Sequence, residues 1–300
     1  MIDLPLKRVR LASGIELDSV DLGPSDGEAL IFLHGFPENH RSWRHQIAHF
    51  AAHGYRCIAP DQRGYRGSSR PADPTAYEAG KLIADVFQLA AALDVERFTV
   101  VGHDWGGAIA WGVAIGGQNG PVERCIIANG PHPLVFQRLL YTNREQRAAS
   151  QYMRAFRDTS RDGEIRARGL GPFLERATRW QAHDAMEPGE RDFLLADWDG
   201  DAAIAMLNWY RASPIDIPPM DAPYEVPDNV AAPSLPDLLI PTLVVWGEDD
   251  RALPPANLAG LSDHVRELTV ERVSGAGHFV QWEKPDPVIE AMERFLKRDG

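Results

Sequence analysis

Through the first 130 residues, short apolar runs alternate with longer stretches whose apolar positions recur every three or four residues. The run at 29–33 is apolar at every position, the pattern of a strand buried on both faces of a sheet. Runs at 56–59, 98–101 and 124–128 predict further strands, and 7–11 with 15–22 predicts a hairpin around Ser13-Gly14. Between them, 43–53, 81–93 and 108–115 read as helices. In the second of these, Leu82, Ile83, Val86, Leu89, Ala90 and Leu93 fall on one face. This β-α-β-α rhythm predicts an α/β fold, a mostly parallel sheet with helices on both sides.

From Pro131 to about Leu235 the strand runs stop. Charged helical stretches take over at 142–158, 163–167, 171–183 and 189–209, followed by a proline-rich, irregular connection from Pro214 to Pro236. The α/β pattern then resumes with a strand at 242–246, a helix near 255–261, a strand at 266–273 and a final helix at 288–297. The simplest account is one core domain, residues 1–133 and 236–300, interrupted by a helical insertion at 134–235. An insertion there would lie over the carboxyl ends of the strands, where ligands bind in open α/β sheets.

Composition narrows the function classes. Three hundred residues at 44% hydrophobic content suffice for one large core and the insertion. A net charge of −12 argues against nucleic acid and anionic membrane as partners. The first thirty residues lack the basic start and apolar stretch of a signal peptide, and no apolar run approaches membrane-spanning length. Cys57 and Cys125 lie in strand-like runs and read as buried, reduced thiols of a cytoplasmic protein. His49 and His53 have metal-ligand spacing on a helix, but no third ligand is in view, so they read as a solvated face and no metal is expected. No dinucleotide or phosphate-binding fingerprint appears, so no cofactor is expected. Trp111, Trp180, Trp198 and Trp282 read as packing.

The chemistry centres on Val100-Val101-Gly102-His103-Asp104-Trp105-Gly106-Gly107. This is the Gly-x-nucleophile-x-Gly spacing of a sharp strand-to-helix turn that lifts one side chain above a sheet. The usual serine is replaced by Asp104, already an anion at neutral pH. Carboxylate attack on an acyl carbon gives an anhydride. Attack on a saturated carbon bearing a leaving group gives an ester that water can cleave. Such an ester needs a base, a group to hold the base, and donors for an oxyanion. Gly277-His278-Phe279 follows the last strand and offers His278 as the base. The strand at 244–246 ends in Gly247-Glu248-Asp249-Asp250, from which Asp250 is preferred as the orienting acid, with Asp249 and Glu248 as competitors. The amides of Phe36 and Trp105 can face the same point and make a two-donor oxyanion hole, with both side chains also placed to bind substrate. His103, flanking the nucleophile, reads as a packing or hydrogen-bonding residue.

Taken together, His34-Gly35-Phe36-Pro37-Glu38, Asp61-Gln62-Arg63-Gly64-Tyr65-Arg66-Gly67-Ser68, the Asp104 elbow, Asn129-Gly130-Pro131-His132-Pro133, Trp246-Gly247-x-x-Asp250 and Gly277-His278-Phe279 resemble the α/β-hydrolase superfamily. Within it, the resemblance is to the epoxide hydrolase and haloalkane dehalogenase branch, closest to the epoxide hydrolases. It implies the α/β-hydrolase fold, an aspartate nucleophile and a helical cap. It also implies two cap tyrosines that hydrogen-bond the epoxide oxygen, a role a tyrosine suits because its free pKa is about 10. Ser150-Gln151-Tyr152-Met153 and Leu207-Asn208-Trp209-Tyr210-Arg211 are similar to the segments that carry them, which assigns Tyr152 and Tyr210 to catalysis and substrate binding. By the same resemblance, the arginine-rich loop around Arg63, Arg66 and Arg70 is structural rather than an anion site. The expected partners are a small-molecule epoxide or related electrophile, and water.

Two alternatives stand beside this reading. A haloalkane or haloacid dehalogenase would use the same ester chemistry, although Phe36 and Trp105 occupy places where those branches carry an asparagine or an arginine. A non-catalytic binding protein on the same fold need not have kept Asp104, Asp250 and His278 together. The cap segment 154–162 is more charged than the family pattern and 214–236 looks long, so both are expected to shape the substrate entrance.

Overall fold

Continuous apolar runs make the centre of the sheet. The computed structural model describes residues 2–178, 186–228 and 235–297. Eight strands form one sheet: β1 (Leu6–Arg10), β2 (Glu16–Leu22), β3 (Ala29–Leu33), β4 (Arg56–Pro60), β5 (Phe98–His103), β6 (Val122–Ala128), β7 (Thr242–Gly247) and β8 (Leu268–Val273). Their order across the sheet is β1-β2-β4-β3-β5-β6-β7-β8. The β1–β2 and β2–β4 pairs are antiparallel and the rest parallel.

Both faces are covered, and the alternation of side chains shows it. Leu30 and Phe32 of β3 join a core with Ile47 and Phe50 of α1 (Arg44–Ala52) and with Val288 and Met292 of the C-terminal helix. Ile31 and Leu33 point the other way, into a core shared with α2 (Ala79–Ala92) and α3 (Asp104–Gly117). Cys57 and Cys125 are free and buried.

Between β6 and β7 come α4 (Pro133–Thr142), α5 (Arg144–Ala149), α6 (Tyr152–Arg157), α7 (Asp162–Arg168), α8 (Gly171–Thr178), α9 (Pro188–Leu195) and α10 (Gly200–Ala212). The predicted helix at 142–158 is therefore three pieces. Asn143 is extended and its Oδ1 accepts from the Gln146 amide at 2.9 Å, so it stops one helix and caps the next. The predicted helix at 189–209 is interrupted between Leu195 and Gly200, where the chain re-enters a helix through Gly200 at φ +53°. At 255–261 there are only two short 3-10 turns, Pro255–Leu258 and Leu261–Asp263, separated by Gly260 at φ +84°. The strand expected from 266 starts at Leu268. Two helices close the described chain, α11 (Val280–Glu283) and α12 (Pro285–Leu296). The helix expected at 171–183 and the Trp180 expectation lie partly or wholly outside the described residues.

The proline-rich connection has few backbone partners of its own, and arginines supply them. The fully buried Arg147 guanidinium donates to Leu140 O and Ala222 O at 2.7 Å and to Tyr141 O and Pro223 O at 3.1 Å. Arg154 donates to Ile217 O at 2.9 Å, and Arg157 to Tyr210 O and Ile215 O at 2.9 and 2.8 Å. Two of the charges of the 154–162 segment, Arg154 and Arg157, thus serve the backbone of the connection.

Candidate active site

Residues 34–40, 104–107, 129–132, 248–253 and 274–279 all follow carboxyl ends of parallel strands. Register brings them level: Leu33 pairs with Gly102, His103 with Ala128, and Ala128 with Val245. Asp104 sits at the turn with φ +51°, a left-handed conformation that a non-glycine residue holds only when its surroundings impose it. The surroundings are tight. A Cβ on Gly106 would meet Leu33 O at 2.3 Å, and one on Gly35 would meet Asp104 Cβ at 2.5 Å. Glycine at 35 lets the loop after β3 close over Asp104, and the Phe36 amide then donates to Asp104 Oδ1 at 2.8 Å.

The second Asp104 oxygen, Oδ2, lies 3.5 Å from His278 Nε2. His278 Nδ1 lies 2.8 Å from Asp250 Oδ2. Of the three competing acids, Asp250 is the one that reaches the imidazole. Glu248 accepts instead from Ser274 Oγ at 2.6 Å. Asp250 is itself held by the amides of Ala252 and Leu253 on Oδ1, both at 2.8 Å, and by Asn129 Nδ2 on Oδ2 at 2.6 Å. Asn129 also accepts from the Gly247 amide at 2.8 Å, so it ties the end of β6 to the acidic turn. In the sequence Asn129 stands out only as part of a matching motif. Nothing in its type or spacing says that it donates to the acid.

The electrostatics follow from this arrangement. Burial opposes charge on both Asp104 and His278, yet each is held charged by the other. The imidazole, with the Phe36 amide, keeps Asp104 below the usual carboxylate range. Asp250 and then Asp104 keep His278 well above the usual imidazole range. His103 is fully buried, and burial pushes it down to about 3. Its Nε2 lies 2.8 Å from the His278 carbonyl, so the expected hydrogen-bonding role is what the structure shows. Behind it, burial pushes Glu38 up to about 8, with Trp282 Nε1 donating to it at 2.8 Å.

Tyr152 and Tyr210 come from α6 and α10 and meet over Asp104. Tyr210 stands edge-on to Phe36 and to Trp105, with ring centroids 5.0 Å away in each case. Tyr152 is 6.1 Å from Tyr210 and 5.0 Å from Phe156. Burial raises both phenols, and the Asp104 charge raises them further, so both hydroxyls stay protonated. Trp105 thus has its indole in the aromatic wall.

The helices are fastened to the loops beneath them. Trp198 Nε1 donates to Pro37 O and Trp209 Nε1 to Arg63 O, both at 2.9 Å. Arg41 grips Glu190 with 2.7 and 2.5 Å bonds, and Arg66 reaches Asp197 at 2.6 Å. Arg63 is paired with Asp85 at 2.6 and 2.8 Å, as expected of a structural loop, while Arg70 is exposed. Trp111 and Trp282 are buried with bonded indoles. His49 and His53 are joined by Glu293, a third ligand-type group that the sequence did not bring into view.

The α/β-hydrolase fold family model matches residues 28–285. A solved structure described as one of the novel epoxide hydrolases in metagenomes from hot environments is 59% identical, covers 99% of both chains and has a TM-score of 0.95. A Bacillus megaterium epoxide hydrolase mutant, solved with its product (R)-3-[1]naphthyloxy-propane-1,2-diol, is 29% identical over 97% of this chain and 100% of its own, with a TM-score of 0.85. Among curated proteins, Epoxide hydrolase 2 of Caenorhabditis elegans is 30% identical over 95% of this chain and 78% of its own length. No helix among the described residues is long and apolar enough to cross a membrane. The residues that converge on Asp104 and the full-length likeness agree: this chain belongs to the α/β-hydrolase superfamily, in its epoxide hydrolase branch.

Proposed function

We propose that the chain opens epoxides to vicinal diols through an ester on Asp104, with the helices of 134–235 acting as a lid over a core of 1–133 and 236–300. The observation that carries this is the division of labour at one carboxylate. Oδ1 is engaged by the Phe36 amide at 2.8 Å, which leaves Oδ2 to attack. Oδ2 displaces the epoxide oxygen from one ring carbon, and the breaking C–O bond gives its electron pair to that oxygen. Tyr152 and Tyr210 hydrogen-bond the developing alkoxide, and one of them gives it a proton.

The ester carries no charge, so the Asp104 contribution that raises His278 disappears; the imidazolium releases its proton to solvent, which leaves a neutral imidazole able to accept one, and it regains that proton when the Asp104 carboxylate is free again. His278 takes a proton from water while hydroxide adds to the Asp104 carboxyl carbon. The Phe36 amide, with that of Trp105, stabilises the oxyanion, and Asp250 steadies the imidazolium. Collapse expels the diol oxygen, which takes the His278 proton. The carboxylic acid left on Asp104 then releases its proton, which restores the tyrosine.

The dehalogenase reading shares every step except alkoxide capture, and the buried Tyr210 with the partly buried Tyr152 beside it favours the epoxide. A paired incubation with styrene oxide and a bromoalkane, assayed for diol and bromide, tests this. Diol without bromide is the expected result. Bromide without diol would assign the site to dehalogenation.

A further inference from the structure

His49 lies in the last turn of α1 and His53 follows that helix as its cap. Their rings stack at 4.2 Å with planes 25° apart. Glu293, from α12, brings Oε1 to 2.7 Å from His49 Nε2, and one ligand atom from each of the three lies within 4.8 Å of the others. The group belongs to the helices on the sheet face opposite α2 and α3, and it shares no residue with the site around Asp104.

Two details set the group apart from an ordinary solvated helix face. His53 Nδ1 lies 2.7 Å from the His49 carbonyl. A proton donated there fixes the tautomer and leaves Nε2 with its lone pair, which is how backbone carbonyls prepare imidazoles for metal. Lys297 Nζ holds the other Glu293 oxygen, Oε2, at 3.0 Å, so Oε1 is presented to the histidines. With side chains of His49 and Glu293 27% and 30% exposed, an ion can enter from solvent and keep a water ligand.

We propose that His49, His53 and Glu293 bind a zinc-class divalent cation that ties α1 to the C-terminal helix. Two imidazole nitrogens and one carboxylate oxygen suit zinc, nickel and copper, and a water completes four-coordination. Magnesium and calcium demand oxygen-rich shells and are excluded by this donor set. On binding, the ion replaces the proton that His49 and Glu293 share, and that proton leaves to solvent.

The test uses tag-free, full-length protein and zinc sulfate alone, by titration calorimetry and thermal melting. Wild type should take up one equivalent that His53→Ala and Glu293→Gln each bind at least about tenfold more weakly. Zinc at about a hundred times the wild-type Kd should raise the wild-type Tm by about 4 °C or more and that of each variant by about half as much or less. Magnesium should do neither. His53 is exposed, so the zinc-free melting of His53→Ala should match wild type and keep a folding defect from mimicking lost binding. Identical isotherms and identical zinc-induced shifts in all three proteins would overturn the site, whatever zinc does to turnover at His278.

Discussion

The two halves of the candidate active site are built in opposite ways. Asp104, His278, Asp250 and the Phe36 amide stand on turns at the carboxyl edge of the parallel strands, held by backbone geometry and bonds of 2.6–2.8 Å. Tyr152 and Tyr210 stand on α6 and α10, and they are placed by aromatic packing and by the Trp209 indole bond to the loop beneath. Under the proposed function, the sheet edge carries the charge chemistry, and a separately fastened layer carries recognition of the neutral epoxide oxygen. The difference teaches that the first half should fail all at once when broken, and the second by degrees.

The largest effects should come from the strand-edge half. Asp104→Ala should remove diol formation by a factor of about 10⁴ or more. His278→Gln should remove turnover equally yet still be alkylated, so intact-protein mass spectrometry with a turned-over epoxide should find a stable adduct. Free, unmodified protein in that experiment would falsify the two-step mechanism.

In the helical half, Tyr210→Phe and Tyr152→Phe should each lower kcat for epoxide by roughly 10²–10³, the usual cost of one oxyanion donor. If both phenylalanine variants keep wild-type kcat, the tyrosines are packing residues.

Smaller still is the expected effect of Asn129→Ala. Asp250 keeps its two backbone donors, so kcat should fall about tenfold, in line with a lost supporting bond. The same substitution should alter the pH profile of turnover, which a purely structural defect would leave in place. A related shift isolates the ion pair. In Asp104→Asn, His278 loses a neighbouring negative charge, so its pKa followed by NMR should move down from the wild-type value.

Smallest on turnover is the joint between the halves. Arg41→Met leaves Glu190 buried, with Arg44 only at 3.9 Å. Breaking one partner of such a pair costs about 3 kcal/mol of stability, seen as a lower Tm, while kcat should stay within about twofold. A large kcat loss there would mean that the helices owe their position over Asp104 to that single pair.

Local chemistry wrote much of this into the chain. The apolar runs specify the strands because a strand buried on both faces has no polar position to spare, and Gly-x-Asp-x-Gly specifies the turn because the close approaches at 102 and 106 admit only glycine. The order of Asp104, Asp250 and His278 and the matching motifs were legible for the same reason: each is a short stretch whose meaning lies in its neighbours. The capping chemistry of Asn143 and the conformational freedom of Gly200 were written there too, but each sat inside a long charged stretch that reads as one helix.

The fold alone settled the pairings between residues far apart in sequence. It chose Asp250 over Asp249 and Glu248, because successive residues of a turn point in different directions and only the folded turn shows which faces His278. It gave Asn129 its contact with Asp250 across 121 positions, turned the cap arginines from entrance groups into partners for a proline-rich backbone, and brought Glu293 to His49 across 244. A side chain's type fixes what it can bind. Which partner arrives is set by the packing of elements, and no local stretch of the chain contains that information.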